Sequence, residues 1–280
     1  MAVGWLDVNV LMQRIKIMFA VAMLDATRPA IAGAEPGGLQ SNAGDYVVLL
    51  HGLGRTPLSM QRLEWTLKRQ KYRVINPGYP STRISIQDAA DHWLGEILRE
   101  QITDPAVKIH FATHSLGGIV LRQYLSNHKI ENLGRVVMLA PPNQGSELAD
   151  RLKGNCFYKF FTGPCGQQLG TDVSSVPKRL GPASFGLGII AGDYSLNPLF
   201  STWIPGPDDG KVSVRSTRIE GMQDFLVVHH SHTWMAWSKE VALAVAQFLK
   251  TGQFQAVRPE CQRPVVIGAP ALKLSLNPRE

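Results

Sequence analysis

Thr113-His114-Ser115-Leu116-Gly117-Gly118 sets a serine at an abrupt change of pattern. A short, largely apolar run from Val107 to Ala112 ends there. A helical pattern follows at once through Ile119, Val120, Leu121, Tyr124 and Leu125. Strand, tight turn and helix meet with a hydroxyl at the apex. Such a turn holds its serine in a strained backbone conformation and lifts Oγ above the sheet edge. Gly117 supplies the small residue that so tight a turn needs. In isolation Ser115 reads better as the cap of a helix after an ordinary strand-to-helix turn. The order of the features around it favours a nucleophile.

Upstream, the apolar run Tyr46 to Leu50 leads into His51-Gly52-Leu53-Gly54-Arg55. Glycines there let backbone N–H groups point at a ligand. The Leu53 N–H and the Leu116 N–H, next after the serine, are the expected oxyanion donors. Downstream, a serine nucleophile needs a base, and the base needs an orienting acid. The histidines after Ser115 are His128, His229, His230 and His232. His128 closes a helix, where it suits the C-terminal carbonyls. His229 and His230 lie close to a strand, as packing or surface residues. His232 sits in the loop before the next helix and is the expected base. Asp193, Asp208 and Asp209 are the acid candidates. Asp209 is preferred because Gly210 permits a sharp turn that aims the carboxylate, and Asp193 remains an even match for a solvated turn residue.

The elements that must position these groups alternate. Strands are expected at 46–51, 72–76, 107–113, 135–140, 186–191 and 224–229, and helices at 58–70, 87–101, 116–128 and 233–250. That alternation predicts the α/β class, with a mainly parallel central sheet covered by helices on both faces. Sites in such sheets lie at the C-terminal ends of the strands. All three candidate catalytic residues fall on loops that follow strands.

Taken in order, these pieces resemble the α/β-hydrolases of lipase and esterase type, over roughly Tyr46 to Lys250. The matching segments are His51 to Gly54, Thr113 to Gly118, Ala140-Pro141-Pro142-Asn143-Gln144-Gly145-Ser146, Asp209 to Val212 and Ser231-His232-Thr233. The Ala-Pro-Pro segment is similar to one in bacterial triacylglycerol lipases and in inositol-deacylase-like hydrolases. Thr113 departs from the glycine usual at its position. The resemblance implies an α/β-hydrolase fold with a small cap or insert. It implies Ser115 as nucleophile, Asp209 as acid and His232 as base, in two-step acyl transfer on a carboxylic ester of a lipid or other acyl substrate. No cofactor and no metal are expected. The same machinery would serve an acyltransferase, a thioesterase or an amidase, and the scaffold alone would serve a non-catalytic binding protein.

The remaining segments are read in turn. Residues 1–34 read as a secretory signal: Gln13-Arg14-Ile15-Lys16, an apolar run from Ile17 to Leu24, then small residues ending at Ala34. Export to a periplasmic or extracellular compartment is expected, the alternative being an uncleaved leader that anchors the chain at a membrane surface. The hydrolase domain spans 45–250, with a cap-like insert at about 145–184 and an irregular tail at 251–280. In the insert, Phe157, Tyr158, Phe160 and Phe161 would line an apolar acyl pocket or form a satellite core. Cys156 and Cys165 could pair in an oxidising compartment, leaving Cys261 over, and the odd count leaves the pairing open. The chain has 280 residues, a net charge of +7 and 18% charged residues. The basic residues are scattered with no recognition motif, so nucleic acid is not an expected partner. Contact with anionic lipid is compatible with that charge.

Overall fold

The computed structural model describes residues 44–254. The expected leader at 1–34, Cys261 and all but the start of the tail lie outside the described residues. Six strands form one sheet: β1 (Tyr46–Leu50), β2 (Arg73–Ile75), β3 (Ile109–His114), β4 (Leu133–Leu139), β5 (Leu187–Gly192) and β6 (Asp224–Val228). Every pairing is parallel, in the order β2-β1-β3-β4-β5-β6. The expected mainly parallel sheet is found, with each strand shifted by a residue or two at its ends.

The helices are α1 (Gln61–Arg69), α2 (Ile86–Asp88), α3 (Gly95–Gln101), α4 (Leu116–Asn127), α5 (Glu147–Leu152), α6 (Cys156–Gln167), α7 (Val176–Arg179), α8 (Pro198–Ser201), α9 (Val214–Thr217) and α10 (Lys239–Thr251). The single helix expected at 87–101 runs as α2, a π-helical stretch Ala89–Leu94, and α3. Ser85 opens it with a capping box: its side chain accepts from the Asp88 N–H while the Asp88 carboxylate receives the Ser85 N–H. At the far end, Ser238 caps α10, and Gly252 closes it in the left-handed conformation at φ 83°.

Side chains alternate across a strand, so neighbouring residues of β1 serve opposite cores. Val47 and Leu49 join Ala112, Val137, Leu139 and Ile190 beneath α1 and α10, whose Leu63, Leu67, Val245, Phe248 and Leu249 cover them. Tyr46, Val48 and Leu50 join Phe111, Val136, Met138 and Ile189 on the other face, covered by Leu94, Ile97 and Leu121. A third cluster lies at the C-terminal end of the sheet. There Leu116, Ile119 and Val120 of α4 pack with Ala149, Cys165, Leu169 and Val176 of the segment after β4.

The order of the strands fixes where a site forms. β1 and β3 are neighbours, but the chain leaves β1 towards β2 and returns from β3 towards β4. In a parallel sheet this reversal opens a crevice at the strands' C-terminal ends. Leu50 pairs with Thr113 there, so the two following loops start level.

Gly188 of β5 lies directly under the ring of Phe248; an added Cβ would stand 2.6 Å from it. Phe248 is fully buried. Phe248→Ala should therefore destabilise the domain by about 3–5 kcal/mol, measured by urea unfolding. A loss below roughly 1 kcal/mol would mean that α10 does not carry this core.

Candidate active site

Ser115 sits at φ 53°, ψ −120°, where few residues other than glycine stand. Two bonds hold it there: its N–H donates to the Leu139 carbonyl (2.8 Å), and its own carbonyl accepts from the Gly118 N–H (3.0 Å). Gly117 allows the conformation. A Cβ on it would lie 2.4 Å from the Leu50 carbonyl oxygen, so only glycine lets α4 begin against the end of β1. Gly52 has the same relation to the next layer, its absent Cβ falling 3.0 Å from His114 Nδ1 and 3.3 Å from Ser115 Cβ.

Three candidate residues come together. His232 Nε2 is 2.9 Å from Ser115 Oγ, and His232 Nδ1 is 2.7 Å from Asp209 Oδ2. All three are buried. An ionised carboxylate only accepts, so Nδ1 carries the proton and Nε2 accepts from the serine hydroxyl. The other oxygen of Asp209 accepts the N–H groups of Lys211 (3.0 Å) and Val212 (2.9 Å), a tight turn that Gly210 completes at φ 93°. The His232 N–H donates to the Asp209 carbonyl at 2.9 Å, so the two residues are tied through backbone as well as side chain.

The other candidates lie elsewhere. Asp193 pairs with His229 at 2.9 Å on the surface. Asp208 accepts from Ser201 Oγ and the Gly210 N–H. His230 meets Ser238 and Glu240, and His128 meets Asp91. Among the described residues no partner takes the N–H of Leu53 or of Leu116, and Ser115 does not cap α4 with its side chain. Both amides stay free beside the serine.

Several supporting residues, some inside the matching segments, were given no role by the sequence. His114 is buried, and its Nε2–H donates to the His232 carbonyl at 2.9 Å, while Nδ1 has no partner. The residue before the serine thus grips the loop that carries His232. His51 is stacked on Tyr79 at 4.3 Å. Tyr79 donates its hydroxyl to the His51 carbonyl (2.7 Å) and its N–H to His51 Nε2 (3.3 Å), which fixes the glycine loop after β1. Arg122 is buried in α4 and donates to the Asn143 side chain (3.0 Å) and the Gly181 carbonyl (2.7 Å); burial lowers its pKa to about 10. Asn143 donates onward to the Thr217 carbonyl, and Ser146 Oγ donates to the Lys211 carbonyl at 3.0 Å. The Ala-Pro-Pro segment therefore braces the turn that holds Asp209.

Two expectations for the 145–184 segment are corrected. Cys156 and Cys165 are both free. They stand at opposite ends of α6, Cys156 in solvent and Cys165 in the third core cluster, where burial raises its pKa to about 12. Phe157, Phe160 and Phe161 line no enclosed pocket; they are 71%, 80% and 68% exposed. They occupy the outer face of α6, while Tyr158 and Cys165 turn inward beside Leu53. Among the described residues no group of side chains could hold a metal ion, and no helix is long and apolar enough to cross a membrane.

The model of a family described as the alpha/beta hydrolase family matches residues 47–270. No curated protein matches the chain. Several solved structures share its fold. The mature form of the Bacillus licheniformis lipase BlEst2 is 19% identical over 77% of this chain and 94% of its own, with a TM-score of 0.57. The metagenomic carboxyl esterase MGS0156 is 18% identical over 74% of this chain and 70% of its own, at 0.55. Phospholipase PlaB from Legionella pneumophila, in complex with thio-NAD, is 17% identical over 74% of this chain, at 0.60; the match spans 59% of PlaB.

The buried histidines make the fold sensitive to acid. The pKa values of His51, His110 and His114 are lowered, with burial the largest cause in each. Unfolded, a histidine titrates near 6.5. Below that value the unfolded chain takes up protons that the folded chain refuses, so stability falls as pH falls. Urea unfolding should give a level stability above about pH 7.5 and a decline between about pH 6.5 and about pH 5. His114→Gln should remove part of the slope. An unchanged slope in that variant, or stability that rises towards acid, would contradict this account.

Proposed function

The chain belongs to the alpha/beta hydrolase family, and from that premise we propose that it is a serine hydrolase of carboxylic esters, acting on lipid or other acyl substrates through an acyl-enzyme. One observation carries the reading: the unbroken line of short contacts from Ser115 Oγ through the His232 ring to Asp209. Ser115 Oγ attacks the ester carbonyl carbon while His232 Nε2 takes its proton. The Leu53 and Leu116 N–H groups receive the oxyanion, worth about 3–4 kcal/mol for each donor. His232 returns the proton to the leaving alcohol as the tetrahedral species collapses. Water then repeats the sequence on the acyl-enzyme and frees the acid. Asp209 keeps the imidazole in the tautomer whose Nε2 can accept, and it stabilises the imidazolium that forms.

The insert after β4 acts in this reading as a cap. Its inner face packs beside Leu53 and Leu116, and its outer face presents Phe157, Phe160 and Phe161 to solvent. An exposed apolar face next to the site suits a substrate presented from a lipid surface.

Ser115→Ala should abolish ester turnover and labelling by an organophosphonate while leaving the unfolding transition in place. Asp209→Asn should lower turnover by roughly 10⁴-fold. Asp193→Asn, on the surface pair with His229, should leave turnover within about twofold, because surface ion pairs contribute little. Labelling that persists at another serine, or equal losses for the two aspartates, would overturn the assignment.

A further inference from the structure

Two cations stand beside the candidate site without an ion pair of their own among the described residues. Arg55 closes the glycine loop after β1, and its Nη2 donates to Thr233 Oγ1 at 3.1 Å, one residue beyond His232. Lys211 lies in the turn that holds Asp209. Its N–H bonds to Asp209 Oδ1, and its carbonyl accepts from Ser146 Oγ, so its backbone is fixed on both sides. Both side chains are half-buried. The lysine and arginine ion pairs of the described residues are Lys68–Glu64, Arg73–Asp104, Lys129–Glu131 and Lys153–Asp172. Neither Arg55 nor Lys211 takes part in one.

Their placement around the nucleophile shows in what they act upon. Burial, and then the Arg55 guanidinium, lower the pKa of Lys211, while Asp209 acts the other way. Both cations also weigh on the buried His114 imidazole, the residue before Ser115. The carboxylate nearest to them is already occupied: Asp209 gives one oxygen to His232 and the other to two backbone N–H groups. Two positive charges thus face one negative charge. The imidazolium and the oxyanion of the tetrahedral species form together, so the reaction leaves the one excess positive charge in place, in a partly desolvated setting where repulsion is poorly screened. An anion brought by the substrate balances it. Arg55 spends one of its five N–H donors on Thr233, which leaves a planar fork for an oxyanion, and Lys211 adds a mobile point charge.

We propose that Arg55 and Lys211 form an anion subsite beside the nucleophile, taking a phosphoryl or carboxylate group that the substrate carries near its scissile ester. This rests on the serine-hydrolase reading and narrows its substrate class to anionic esters.

Three esters that differ in one group test it: monobutyrylglycerol, its phosphate monoester, and the butyryl ester of glycerate. The protein should show a kcat/KM for at least one anionic ester roughly tenfold or more above that for the neutral one, the scale of a charge-assisted hydrogen bond. Which anion is preferred tells a phosphoryl from a carboxylate source. Arg55→Gln and Lys211→Gln should each bring the anionic-to-neutral ratio towards unity. If either variant fails to fold, the unsubstituted protein still decides, because added salt should lower the ratio. A neutral ester used as well as both anionic ones, a ratio kept in both variants, or a ratio indifferent to salt would overturn the subsite. Hydrolysis of the neutral ester would leave the serine-hydrolase reading standing in those cases. Inertness to all three esters together with no phosphonate labelling would overturn both.

Discussion

The contact on which the arrangement turns is the approach of α4 to the last carbonyl of β1. Gly117 meets Leu50 so closely that no side chain fits between them. Because β1 and β3 end level, that approach leaves the chain one residue in which to reverse from strand to helix. Ser115 takes the left-handed conformation as a result. Such a conformation costs about 1–3 kcal/mol and persists only where its surroundings over-determine it. Here the Leu139 carbonyl and the Gly118 N–H supply that determination. The same geometry sets the free Leu116 N–H and the serine hydroxyl side by side.

Everything else at the site is held relative to this turn by polar groups that have little freedom to change state. His114 ties the loop of His232 to the strand that ends at Ser115 and is kept neutral by burial. His51 and Tyr79 lock the glycine loop. Arg122 gathers carbonyls from the loop after β4 and from the end of the insert, and through Asn143 it reaches the segment that leads from the Asp209 turn. Gly192 lets that turn close: a Cβ there would lie 2.3 Å from the His230 carbonyl oxygen and 3.0 Å from Asp209 Cβ. These contacts explain why Ser115, Asp209 and His232, from the ends of β3, β5 and β6, meet within single hydrogen bonds.

The central strands β1, β3 and β5 were legible because they are buried along their whole length, so their sequences are short, largely apolar runs bounded by turn residues, and the partly exposed edge strands β2 and β6 still carry apolar runs between turn residues. The placement of Ser115, Asp209 and His232 on loops after β3, β5 and β6 followed from the same pattern. Asp209 could be preferred over Asp193 because of Gly210, and the structure brings Asp209, not Asp193, to His232. The insert was less legible. α5 and α7 are too short to show a helical period, and α6 is kinked at Gly163 before Pro164. Spacing alone left open a pairing of Cys156 and Cys165, but a helix lies between them and turns one outward and one inward. The aromatic cluster read as a pocket or a satellite core because composition does not say which face of a helix meets the core, and its phenylalanines face outward instead. His114 and Arg122 belong to no motif of their own. Their signal was a histidine beside the nucleophile and an arginine on an otherwise apolar helix face, and its meaning needs the loops they reach.

The central claim is that Ser115, His232 and Asp209 act as one catalytic unit. Groups that act as a unit are grossly non-additive: removing a second member costs little once the first has gone. The most direct measurement is ester turnover of the Ser115→Ala, His232→Ala double variant beside each single variant. The account predicts that the double variant is no slower than the slower single, within about threefold. Losses that multiply would mean that the serine and the histidine contribute independently, and would contradict it.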